Sequence, residues 1–288
     1  MDKAKLEAQK QWNRDPCGAS TTGELEQGSW EFFETAMRFR YTDYAPWMHD
    51  AIGFQNFSGK KVLEIGPGLG TDLLQFALHG ADCYAIDLAE KHLELTRLNL
   101  TLHGYRVACL LGDVEALPFR LGEFDCVYAF GVLHHTPNTK LAIAEIHRVL
   151  KDGGKAIVGL YHRNSTFYWM STMLFRGVLL MGLMRKGYRR LLSEIEFRSP
   201  DSDASPLVEV YSRNQVRTLF GRFRSTQLET RHLEYNHLFP LRGLLKLLPD
   251  SLREGRIVHS LEMAWKRRGF IERFSRYFGW YIIVEVEK

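Results

Sequence analysis

Cysteine is scarce in this chain: four among 288 residues, Cys17, Cys83, Cys109 and Cys126. None forms a C-x-x-C pair, which argues against a zinc site and for a reducing compartment rather than a disulfide scaffold. No metal is expected. There is also no uninterrupted apolar run long enough to cross a bilayer. The nearest approach, the 18 residues 167–184, carries Arg176 in its middle, where a charge is costly in hydrocarbon. The opening Met1-Asp2-Lys3-Ala4-Lys5 leads into a polar helix, so no signal peptide is expected. No internal repeat is visible. These absences point to a cytoplasmic globular protein.

What is present is ordinary in bulk and uneven in charge. Apolar residues make up 45% and charged residues 25%, as in soluble domains generally. The length suits one large domain or a domain with a sizeable insertion. Residues 1–161 carry 16 Lys and Arg against 21 Asp and Glu, whereas residues 162–288 carry 22 against 13. A basic C-terminal half fits either contact with an anionic surface or substrate, or a plain solvated face.

The most informative stretch is Val62-Leu63-Glu64-Ile65-Gly66-Pro67-Gly68-Leu69-Gly70-Thr71. An apolar strand breaks into a glycine-rich turn that opens a helix. Gly66 and Gly68 let a ligand approach the backbone, and Pro67 stiffens the turn. The next acid at a strand end, Asp87, lies 21 residues after Gly66, near the roughly 20-residue spacing at which a carboxylate meets ribose hydroxyls. A nucleoside-bearing cofactor is expected. The glycines depart from the G-x-G-x-x-G spacing of dinucleotide sites, which disfavours a nicotinamide dehydrogenase.

Three further elements follow in order: Leu111-Gly112-Asp113-Val114, the strand and loop Phe124–His135, and Arg148-Val149-Leu150-Lys151-Asp152-Gly153-Gly154. This ordered set, over about residues 58–160, resembles the class I S-adenosylmethionine-dependent methyltransferases, and most of all the ubiquinone and menaquinone group. The segment Gln11–Gly18 is similar to one found in bacterial methyltransferases of this type. The resemblance implies S-adenosylmethionine as cofactor and assigns roles. Gly66 and Gly68 would pass close to its methionine part, with Pro67 in the same turn. Glu64 and Asp72 would lie near its amino group. Asp87 would take the ribose hydroxyls, with Leu88 against the adenine. Asp113 would accept from the adenine amino group, with Val114 beside the ring. Phe130 and Gly131 would line the inner side.

Alternating patterns place strands near 61–65, 82–86, 106–111, 125–130 and 155–161, with helices near 70–79, 90–103 and 139–150. The fold expected is a Rossmann-like, seven-stranded, mostly parallel sheet with helices on both faces. N-terminal helices over 2–13 and 30–54 would form a lid (1–57) ahead of the cofactor-binding core (58–161), with Arg40 or Tyr41 near the cofactor carboxylate. A helical cap (162–224) would follow strand five. The last two strands, near 225–234 and 279–286, would complete the sheet within 225–288, around a further helical insertion. Residues 167–184, with the basic cluster Arg185–Arg190 behind them, read first as a buried cap helix lining an apolar pocket. The second reading is a helix lying on a membrane surface. Leu241–Leu248 and Trp265–Arg268 repeat the apolar and basic combination.

A sulfonium methyl is already electrophilic, so the chain must align an acceptor, exclude water and handle a proton. His134 and His135 follow strand four, and either suits a general base. Tyr161 and His162 are weaker candidates. The Asp/Asn-Pro-Pro-Tyr motif of base-amine methyltransferases is missing, the place being held by Ala129-Phe130-Gly131-Val132. No RNA-binding module is present, so nucleic acid is disfavoured. The expected activity is methyl transfer to oxygen or carbon of a small, largely apolar acceptor. Its rivals are a peripheral-membrane enzyme for a lipid-linked or quinone acceptor, and a non-catalytic cofactor-binding subunit.

Overall fold

The computed structural model describes residues 2–196, 206–234, 237 and 268–288. Seven strands form one sheet in the order β3-β2-β1-β4-β5-β7-β6. They are β1 (Lys61–Ile65), β2 (Asp82–Asp87), β3 (Ala108–Leu111), β4 (Phe124–Phe130), β5 (Leu150–Tyr161), β6 (Ser225–Arg231) and β7 (Tyr281–Glu287). All neighbours pair in parallel except β7, which runs antiparallel to both β5 and β6.

Successive side chains on a strand point to opposite faces, and the sequence loads both faces with apolar groups. Leu63, Val127 and Ala129 meet Ala142, Ile143 and Ile146 of α6 (Thr139–Val149) on one face. Val62, Cys126 and Tyr128 meet Leu73, Leu74 and Phe76 of α4 (Thr71–Leu78) on the other. The second face also receives Met48, Ile52 and Phe54 from the N-terminal segment. The remaining core helices are α1 (Lys3–Arg14), α2 (Trp30–Arg38), α3 (Met48–Ile52) and α5 (Glu90–Leu102).

The expected helix over 30–54 is broken. Ser29 caps α2 by accepting from the Phe32 N–H. The chain then widens into a π-type turn over Phe39–Tyr44 before α3 begins. Pro46 disfavours helical geometry at the residue before it, and Ala45 sits at φ −136°. Strand β5 starts five residues earlier than expected because Leu150 pairs with Phe124, ahead of a register shift between Phe124 and Cys126.

Beyond β5 come a widened helix over Phe167–Leu179, then α7 (Gly182–Ser193), α8 (Arg213–Leu219) and α9 (Arg268–Phe278). Ser212 opens α8 with a capping box, and Val216 packs against the sheet with the α6 residues. The buried-pocket reading of 167–184 does not hold: none of these residues lines the main cavity. Buried positions on the widened helix are Tyr168, Ser171, Thr172 and Gly177, with Phe167 and Met173 packed against the same cluster as Tyr168, while Trp169, Leu174, Val178 and Leu179 are exposed. The Leu241–Leu248 and Trp265–Arg267 stretches lie outside the described residues.

Candidate functional site

A cavity of about 210 Å³ opens beyond the carboxyl ends of β1, β2 and β4, where open α/β sheets hold their ligands. The turn at its floor requires glycine. Gly66 adopts φ +71°, and a Cβ there would come within 2.2 Å of Val132 Cγ2. Gly68 lies at φ +59° beneath the Cys17 carbonyl.

Of the expected cofactor residues, Glu64, Gly66, Pro67, Gly68, Asp72, Asp87, Leu88, Val114, Phe130 and Gly131 all line this one cavity. The two carboxylates beside the glycine turn differ. Asp72 is saturated: Arg40 holds it through two guanidinium N–H groups, and the hydroxyls of Tyr41 and Tyr128 each donate at 2.8 Å. Glu64 is buried with Oε2 lacking any partner. Burial, and then the nearby Asp72 charge, push its carboxyl well above the usual range. A buried carboxylate oxygen without a donor is costly, and an ammonium group entering the cavity would satisfy it. Glu64 could therefore hold a cationic group, whereas Asp72 fixes Arg40 and Tyr41.

Asp87 accepts from the Ala89 N–H and from His92 Nδ1, both at 2.8 Å. The Cys17 N–H donates to His92 Nε2 at 3.2 Å, so the ring's proton lies on Nδ1 and points at Asp87. Asp113 departs from expectation. Its carboxylate turns out of the cavity to the Lys5 ammonium at 2.6 Å and the Glu115 N–H at 2.9 Å, while its neighbours Gly112 and Val114 line the wall. The reason is the cation on α1, which Asp113 shares with Glu115 at 2.6 Å. Glu115 also accepts from the Thr136 hydroxyl and the Asn138 N–H. Burial opposes ionisation of Glu115, but these bonds hold its carboxyl below the usual value. One acid therefore ties α1, the loop after β3 and the loop after β4 together.

The histidine pair separates. His134 is fully buried with neither ring nitrogen bonded, its ring centroid 3.7 Å from that of Tyr161. Burial, and then His135, hold its pKa well below the usual value. It does not reach the cavity. His135 does, with Nδ1 at 2.7 Å from the Leu207 carbonyl. A carbonyl only accepts, so Nδ1 carries the proton and Nε2 offers its lone pair. That Nε2 lies 3.9 Å from Glu196 Oε1, which also accepts from the Tyr161 hydroxyl at 2.6 Å. His162 is turned away, bonded to the Gly279 carbonyl at 3.0 Å. His134, His135 and Glu196 also place three potential metal-ligand atoms within 4.8 Å of one another, as do His232, Glu234 and His237.

Lys5, Trp12, Cys17, His92 and Glu196 line the cavity without having been singled out for it. Only the segment around Trp12 and Cys17 carried a signal, through its resemblance. Glu196 follows α7 by long-range folding that no local pattern encodes.

A family model described as a methyltransferase domain matches residues 63–158. Ubiquinone biosynthesis O-methyltransferases are among the curated relatives. That of Dechloromonas aromatica is 34% identical over 136 residues, covering 47% of this chain and 57% of the relative. That of Azoarcus sp. is 31% identical over 159 residues, covering 54% and 67%. Most of these alignments span only about half of the relatives' length. Among solved structures, a methyltransferase of Methanosarcina mazei superposes with a TM-score of 0.52 at 15% identity, covering 81% of this chain and 95% of that one. The YcgJ protein of Bacillus subtilis gives 0.50 at 19%, covering 83% and 98%. These two share the fold. With the domain match over the strands that build the cavity and curated relatives above 30% identity, the chain belongs to the class I S-adenosylmethionine-dependent methyltransferases.

Proposed function

We propose that this chain transfers a methyl group from S-adenosylmethionine to an oxygen or carbon of a small, largely apolar acceptor, with His135 taking the acceptor's proton. The observation that carries this reading is the placement of His135. It is the histidine of the pair that lines the cavity, and its backbone-bonded Nδ1 leaves Nε2 as the acceptor.

The bound cofactor supplies an electrophilic methyl on a sulfonium. Glu64 would receive its ammonium, the Gly66–Gly68 turn would admit its chain, and Asp87 would hold its ribose. Tyr44, Phe130, Tyr161 and Tyr281, which also line the cavity, would face the acceptor. These largely aromatic walls favour an apolar molecule and limit access of water. A hydroxyl has one proton to donate, and in this reading it goes to His135 Nε2, with Glu196 Oε1 standing 3.9 Å from that nitrogen. With the cofactor bound, methyl transfer would break its C–S bond as the new C–O or C–C bond forms, with the demethylated product as the leaving group. The acceptor's proton passes to Nε2, and Glu196 stabilises the imidazolium.

Calorimetric titration with S-adenosylmethionine, its demethylated product and NADH tests the cofactor assignment. An acceptor screen biased to phenols and quinones follows. Binding of the first two alone, with turnover of an apolar acceptor, is the expected result. NADH binding, or cofactor binding with no turnover of any acceptor, goes against it.

A further inference from the structure

We propose that the outward face of residues 167–190 docks on the surface of an anionic lipid bilayer. Six large apolar side chains crowd this short stretch in the open: Trp169 is 55% exposed, Val178 59%, Leu179 60%, Leu180 56%, Met181 44% and Met184 81%. Scattered apolar groups on a surface are normal, but a contiguous set marks a contact. The turn joining the widened helix to α7 is held by Met181 in the left-handed region, at φ +55°. Glycine would adopt that geometry without strain, yet the chain keeps an exposed thioether at the tip.

Charge identifies the occupant. Between Tyr161 and Glu194 the sequence has no Asp or Glu and six Lys and Arg. Arg185, Lys186 and Arg189 are exposed beside the apolar tip. Only Lys186 of these three makes an ion pair among the described residues, with Glu194 at 2.7 Å. An apolar strip flanked by cations matches an anionic headgroup layer over hydrocarbon. A second copy of the chain matches poorly, because an isologous contact would bring two such cationic patches together. Insertion across the bilayer is not implied: no helix among the described residues is long and apolar enough to cross a membrane.

The test is flotation of the full chain with vesicles of phosphatidylcholine alone and with about 30 mol% phosphatidylglycerol. Binding to the anionic vesicles is expected, weakened about tenfold or more by ~0.5 M salt. The Leu179→Glu, Met184→Glu double variant should bind at least about tenfold more weakly. Its S-adenosylmethionine titration should match the parent, since neither residue lines the cavity. Brominated lipids should quench the unmodified protein's fluorescence, and the Trp169→Phe variant should lose most of that quenching, which needs no disruptive change. Absence of vesicle binding, or undiminished binding by the double variant, overturns the proposal. A dimer of the parent that the double variant breaks, with no vesicle binding by either, assigns the face to a second copy instead. Vesicle binding and methyl transfer are read separately, so failure of one is distinguishable from failure of the other.

Discussion

Glu64→Gln should make the empty protein more stable and a poorer binder of its cofactor. Glu64 sits in the core beside Asp72, whose charge is already matched by Arg40, and its own Oε2 has no donor. Burial first, and Asp72 second, raise its carboxyl well above the usual 4.5. The sign follows from linkage. A folded-state pKa above the unfolded value means that the folded chain binds the proton more tightly. The stability that protonated Glu64 contributes is therefore full below about pH 4.5 and is lost as pH rises towards the folded value. The amide abolishes that slope, so the variant's advantage grows across the same window. Where the carboxyl is ionised, replacing it by a neutral amide relieves several kcal/mol of desolvation, but leaves two N–H donors to satisfy. A net gain of about 1–2 kcal/mol is expected, or roughly 2–8 °C in Tm for a chain this size.

Cofactor affinity should move the other way. A charge-assisted hydrogen bond contributes about 1.5–3 kcal/mol, so its loss should weaken binding about 10- to 150-fold. Thermal melts with and without S-adenosylmethionine read both effects in one experiment, because the ligand-induced rise in Tm should shrink while the starting Tm climbs. Binding to the parent should also release a proton within the pH window, seen as a buffer-dependent heat that the variant lacks. A variant that melts earlier than the parent and binds the cofactor equally well would refute the reasoning. It would mean that Glu64 is paired in the empty state.

His135→Ala should lower turnover about 10²- to 10⁴-fold with cofactor affinity unchanged, whereas His134→Ala should lower Tm and largely spare turnover; the reverse pattern in steady-state assays would exchange their roles. Gly66→Ala should destabilise by about 2–4 kcal/mol, through left-handed strain and the contact with Val132, and Val132→Ala in the same chain should recover only the contact share in urea unfolding. Full recovery, or no loss at all, would show that the turn does not require glycine. Asp87→Ala should weaken cofactor binding by about 1–3 kcal/mol, and calorimetry showing unchanged affinity would remove Asp87 from the ribose.

The core was legible because its signals are local. Alternating apolar residues specify strands that bury both faces, and the glycine turn after β1 announces where the backbone must admit a ligand. The helix over 30–54 was misplaced because its aromatic spacing is helical throughout, while Pro46 acts on the residue before it. Asp113 was given to the adenine amino group by the family resemblance alone. The resemblance does not encode Lys5, more than a hundred residues away, whose ammonium bonds that acid. Residues 167–184 are the instructive failure. Apolar composition was taken for burial of the whole segment, yet only one face, with Tyr168, Ser171, Thr172 and Gly177, meets the protein, and only the fold decides which face that is.

The site also has an order of assembly that no single motif expresses. The acids at and after the strand ends attract groups from outside the sheet: Lys5 reaches Asp113 and Glu115, Arg40 reaches Asp72, and the Cys17 backbone reaches Asp87 through His92. All of these partners precede β1 except His92. The N-terminal segment is therefore held over the cavity by the same carboxylates that shape it, and Glu64 alone is left with an unpaired oxygen. A lid fastened at three places, with one vacant acceptor beneath it, favours a ligand that brings its own cation. Once that ligand is in place, the polar groups beneath the lid are satisfied and opening it exposes a newly buried charge pair. Residence time should then depend on the lid's fastenings as much as on direct contacts to the ligand.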